Sequence, residues 1–190
     1  MKSNRFGRFW IVASLVLVLG LGLALAISPV RAATFAAGPV FREFGKVAAV
    51  DADMPVPPDT MFKVAFDISD PAKAGEMSRA IDSAARFINM NAAAGVPPAN
   101  IHVALVVHGR AGFDLTRQPF YAAHNAGLAN GSEALVAALL AHGVDIYLCG
   151  QSAAGLGIGK GDMLPGVKMA LSAMTAHALL QQRGYTLNPF

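Results

Sequence analysis

Val144-Asp145-Ile146-Tyr147-Leu148-Cys149-Gly150 is the stretch on which the reading of this chain turns. Apolar residues dominate it, and Gly150-Gln151-Ser152-Ala153-Ala154-Gly155 follows at once. This is the pattern of a strand running out into a turn of small residues, where α/β folds present reactive groups. Cys149 is the only cysteine in 190 residues and stands at that exit. A thiol used for packing alone belongs more naturally inside the run.

Working outward, residues 101–107 form another apolar run, closing on His108-Gly109. Continuous apolarity is expected of a strand covered on both faces, as in a parallel sheet. A third β-rich run, residues 62–68, is closed by Ser69-Asp70-Pro71. Between these two, Met77, Ile81, Ala84, Ala85 and Ile88 recur at helical spacing until Gly95 and Pro97-Pro98 stop them. Pro119 opens a short helix over 120–125, and Ser132 is placed to cap a helix running to Leu140. Beyond Cys149, residues 155–161 read as a flexible glycine-rich loop over its mouth. Residues 167–171 read as a fourth strand, 172–182 as the last helix, and the tail from Tyr185 as extended. Alternation of this kind predicts an α/β fold, a mostly parallel sheet with helices on both faces.

The first 32 residues read differently. Lys2, Arg5 and Arg8 precede an apolar stretch from Trp10 to Ile27, and Val30-Arg31-Ala32 supplies small residues for cleavage. This predicts a secretory signal peptide over 1–32, hence a periplasmic protein; a membrane anchor left uncleaved is the alternative. Residues 33–60 read as an extended arm, interrupted by Pro55-Val56-Pro57-Pro58, and residues 61–190 as the α/β domain. Four of the 15 Lys and Arg residues fall in 1–32, leaving 11 against 12 acids. The basic balance of the whole chain therefore belongs to its leader and predicts no nucleic-acid partner. In an oxidising compartment a lone cysteine closes no intrachain bridge and is a reactive candidate.

A thiolate, not a thiol, is the nucleophile, and main-chain N–H groups in a turn lower its pKa. Sulfur transfer needs an accessible thiolate, room for one more sulfur atom, and donors for a persulfide anion. Cys149 is the candidate nucleophile, with Gly150, Gln151, Ser152, His108 and Lys160 as its candidate binding neighbours. The competing reading makes Cys149 a small buried hydrophobe. Gly150-Gln151-Ser152-Ala153-Ala154 approaches a serine-hydrolase elbow but carries Ala154 where that motif needs glycine. The run Gly155–Lys160 fails as a phosphate loop, with Ala154 and Gly161 at the positions that decide it. The five histidines show no metal-ligand spacing, so neither metal nor cofactor is expected.

The stretch from Leu140 to Gly150, then Leu156-Gly157-Ile158, Asp162-Met163-Leu164-Pro165-Gly166 and the end from Ala178 to Tyr185, resembles the DsrE/DsrF-like (YchN-like) family. The resemblance spans about residues 61–190. It implies a three-layer α/β sandwich assembling into trimers or hexamers, and a persulfide on Cys149 exchanged with a sulfur donor or acceptor protein. The expected activity is that of a sulfurtransferase or sulfur carrier. The alternative is a non-catalytic oligomeric binding module in which Cys149 is structural. Relay members of the family act in the cytoplasm and carry basic residues soon after the cysteine, where this chain has Ala153-Ala154-Gly155-Leu156.

Overall fold

The computed structural model describes residues 32–189; the expected signal peptide, apart from Ala32, lies outside the described residues. Five strands form one sheet: β1 (Phe62–Ile68), β2 (Ile101–Val107), β3 (Asp145–Cys149), β4 (Lys168–Ala170) and β5 (Thr186–Asn188). The order is β4-β3-β2-β1-β5 and every pairing is parallel. Helices α1 (Arg79–Ala93), α2 (Gln118–His124), α3 (Glu133–Ala141), α4 (Gly150–Leu156) and α5 (Ala173–Gln182) connect the strands. The three-layer α/β expectation holds, and the sheet is parallel throughout the described residues.

Strand alternation divides the core in two. Val64, Phe66 and Ile68 of β1, Val103, Leu105 and Val107 of β2, and Ile146 and Leu148 of β3 face the larger cluster. There Ile81, Ala84, Ala85 and Ile88 of α1 and Leu135, Val136 and Leu139 of α3 are fully buried against them. The other face carries Ala65, Ala104, Val106 and Ala170, with Ala176 and Leu180 of α5 laid on top. Because β4 and β5 are opposite edges, α5 crosses this face to link them. The alanines let it approach closely.

Several boundaries differ from the sequence expectation. Helix α1 begins only after Ser78, whose hydroxyl accepts the Ile81 N–H at 3.3 Å. Ser132 does precede α3, but its hydroxyl caps nothing there; it accepts the Ser78 N–H at 2.9 Å instead. The turn expected after Cys149 is a helix, α4, terminated at Gly157 with φ of 72°. Ala153 and Ile158 are buried, so this segment packs on the core rather than forming a loop over the thiol. The tail supplies β5, whose three residues pair with Val64, Ala65 and Phe66.

The arm is more structured than an extended run. Ala36 and Val47 form an antiparallel bridge, and the loop between them is clamped to α1. Asn89, fully buried, accepts the N–H groups of Val40 and Phe41 and donates to the carbonyls of Phe41, Phe44 and Gly45. Asp82 accepts the Gly45 N–H at 2.7 Å. Gly45 has φ of +57°, and a Cβ there would meet the Arg86 nitrogen at 2.3 Å, so glycine is required.

Candidate functional site

Parallel strands bring their C-terminal ends to one rim. On the α5 side of this rim, alternation places Asp67 after Ala65, His108 after Val106, and Cys149 after Tyr147. Helix α5 starts at the same rim because β4 ends there, and it turns His177 over the sheet. Asp67, His108, Cys149, Gln151, Ser152, Ser172, Ala173, Met174 and His177 line one open cavity of about 370 Å³. A larger one, about 470 Å³, lies along residues 70–80 and offers no thiol or imidazole.

Cys149 is 5% exposed and free. Burial pushes its thiol up. Hydrogen bonds from the Ser152 hydroxyl and from the N–H groups of Ser152, Ala173 and Gln151 outweigh that and bring it below the ordinary cysteine value. The donors come from two elements, α4 directly after the cysteine and the start of α5. Ser152 is committed to this task. Its oxygen accepts the Gly109 N–H at 2.9 Å, which leaves its own proton for the sulfur. Gly150 is needed for the close turn, since a Cβ there would sit 2.6 Å from the Ala170 carbonyl oxygen.

Asp67 binds two imidazoles, one on each carboxylate oxygen. His177 Nε2 lies 2.7 Å from Oδ1 and His108 Nε2 lies 3.3 Å from Oδ2. Burial would raise this carboxyl, but the hydrogen bonds and charge of the two histidines win and hold it below the usual aspartate value. His177 is the more buried ring, its side chain 14% exposed against 32% for His108. Its Nδ1 is buried without a hydrogen-bond partner.

Of the residues singled out in the sequence, Cys149, Gln151, Ser152 and His108 meet at this cavity, and Gly150 forms the turn beside it. Lys160 does not reach it; it lies exposed on a single turn beyond α4, because the segment joining them is helical. Asp67 and His177 were not among those residues. Among the described residues no group of three or more histidine, cysteine or acidic side chains is arranged to hold a metal ion. None of the described helices is long and apolar enough to cross a membrane.

The sequence profile of the DsrE/DsrF-like family matches residues 63–189. The fold is similar to that of MTH1491 from Methanobacterium thermoautotrophicum, described as a protein of unknown function (TM-score 0.51, 18% identity). That match covers 68% of this chain and 99% of the other. The ychN protein from E. coli is similar to the same extent (TM-score 0.50, 17% identity, 68% of this chain and 100% of the other). No curated protein matches.

Proposed function

The chain belongs to the DsrE/DsrF-like family, and from that premise we propose that it handles sulfane sulfur as a persulfide on Cys149, as a sulfurtransferase or sulfur carrier. One observation carries the reading: a free cysteine at the exit of β3 lines an open cavity, where the Ser152 hydroxyl and nearby main-chain N–H groups hold its thiol below the ordinary value against burial. Those donors suit a thiolate and would equally hold the terminal anion of a persulfide. Intact-mass measurement after exposure to inorganic polysulfide is the test. A gain of one sulfur atom, absent from Cys149→Ala, is expected; no gain in the unmodified chain sinks the reading.

A second reading makes the domain an oligomeric binding module with a structural Cys149. What favours it is the 5% exposure of that residue together with an apolar border beside it, where Leu171 and Met174 are 73% and 80% exposed. Slow alkylation of native Cys149, with rapid reaction only after unfolding, would select this reading over the first.

Self-association into trimers or hexamers belongs to both readings. Its support is the same border, extended along α5 by Leu179. Light scattering on the purified chain and on Met174→Glu tests it, the variant being expected to dissociate. Export to the periplasm by residues 1–32 completes the proposal, and N-terminal sequencing of protein from that compartment tests it. Retention of those residues in a membrane fraction would point to the anchor.

A further inference from the structure

We propose that His108 is the proton-transfer group of the Cys149 cavity, held by Asp67 and His177 as positioning residues, when Cys149 is loaded from a persulfide R–S–SH. This rests on the sulfur reading of Cys149 given above.

Three observations lead to it. Asp67 is held ionised and so accepts on both oxygens, which requires the hydrogen of each imidazole to sit on Nε2. In its neutral form His108 then carries its lone pair on Nδ1. The ring is about one-third exposed and borders the cavity shared with Cys149. Finally, His177 leaves its Nδ1 buried and unpaired while its Nε2 holds Asp67. A buried polar atom left without a partner calls for an explanation, and orienting a reactive neighbour is one. The charged and titratable groups facing His108 across this cavity are Asp67, His177 and Cys149; the lining contains no lysine, arginine or glutamate.

The step balances without an outside oxidant. His108 Nδ1 takes the thiol proton, and the Cys149 thiolate attacks the terminal sulfur of R–S–SH. A bond forms between Sγ and that sulfur as the donor's own S–S bond breaks. The electron pair leaves on R–S⁻, which takes the proton back from the imidazolium. The products are Cys149–S–SH and R–SH, so Cys149 is oxidised to the persulfide level and the donor is reduced to a thiol.

The experiment follows loading of Cys149 by intact mass, using cysteine persulfide and the persulfide of an aromatic thiol as donors. An aromatic thiolate has the lower pKa and leaves faster than an alkyl one, so it gains less from a returned proton. His108→Gln should lose on the order of a hundredfold in loading rate with cysteine persulfide and several times less with the aromatic donor. Asp67→Asn should show the same donor-dependent loss and an altered pH profile. Circular dichroism melts confirm that the variants are folded; should one fail, the other carries the test. Equal losses with both donors, or none, overturn the role of His108 while leaving the sulfur reading intact. No loading of the unmodified chain by either donor overturns both.

Discussion

The Gly109 N–H donates to the Ser152 hydroxyl at 2.9 Å, joining the exit of β2 to the first turn of α4 beside Cys149. Main chain from one strand thereby dictates where a side chain after another strand sends its proton. The left-handed backbone of Gly109, φ +56°, is part of this arrangement.

Ser152→Ala removes that donor while keeping the main-chain N–H groups around the sulfur. The thiol pKa should rise and the thiolate fraction at mildly acidic pH should fall. Iodoacetamide should then alkylate Cys149 about 3–10-fold more slowly, the equivalent of one net hydrogen bond. An unchanged rate would mean that the amides alone hold the sulfur charge.

Gly150→Ala tests the turn itself. Its methyl would lie 2.6 Å from the Ala170 carbonyl oxygen and 3.1 Å from that of Leu171, both main chain and unable to swing aside. The end of β4 must shift, carrying with it the Ala173 N–H that faces the thiol. Thermal unfolding should show a loss of about 1–3 kcal/mol, with slower Cys149 alkylation. Full stability and unaltered reactivity would contradict the packing described.

Asp114 sets a pH dependence of stability. Burial pushes its carboxyl up to about 6, against which the Ala72 N–H bonded to it works. The folded protein therefore binds this proton more tightly than the unfolded chain does. The contribution is fully present below about pH 4 and is lost as pH rises through about 6, at most roughly 3 kcal/mol. Asp114→Asn keeps an oxygen for Ala72 and cannot ionise. Its melting curve should be flatter across that window and higher than the parent's above it; parallel profiles would refute the assignment.

Asn89→Ala releases the arm. Five main-chain groups lose their partner in a fully buried site, for an expected loss of about 2–4 kcal/mol. Proteolysis should then cut within residues 36–47 before the sheet opens. Simultaneous loss of arm and sheet would show instead that the two melt as one unit.

The architecture was legible because its central strands announce themselves. Residues 103–107 are apolar on both faces, and α1 repeats its buried positions at helical spacing. Cys149, Gln151, Ser152 and His108 were legible because parallel strand ends share a rim. Asp67 was not, since a carboxylate closing an alternating strand reads as a solvated residue. Its signal was parity with Ala65, which sets it on the same side as Cys149. His177 could be placed only once α5 was known to cross that side, on the stripe with Ala173, Ala176 and Leu180. Strand β5 escaped notice because three residues owe their conformation to pairing with β1 rather than to their own propensity. Lys160 was drawn in by reading residues 150–161 as a loop, when Gly150 could begin a helix and Gly157 could end one.

The sparse layer beneath α5 has a further consequence. Ala65, Ala104 and Ala170 make up most of the floor on which the helix lies, with Val106 beside them, so helix-to-floor spacing is governed largely by side chains that stop at a single carbon. That spacing also determines whether an imidazole on the helix meets a carboxylate on the floor at 2.7 Å. Bulk added at Ala104, in the middle of β2, would lift the helix like a shim and draw His177 away from the acid.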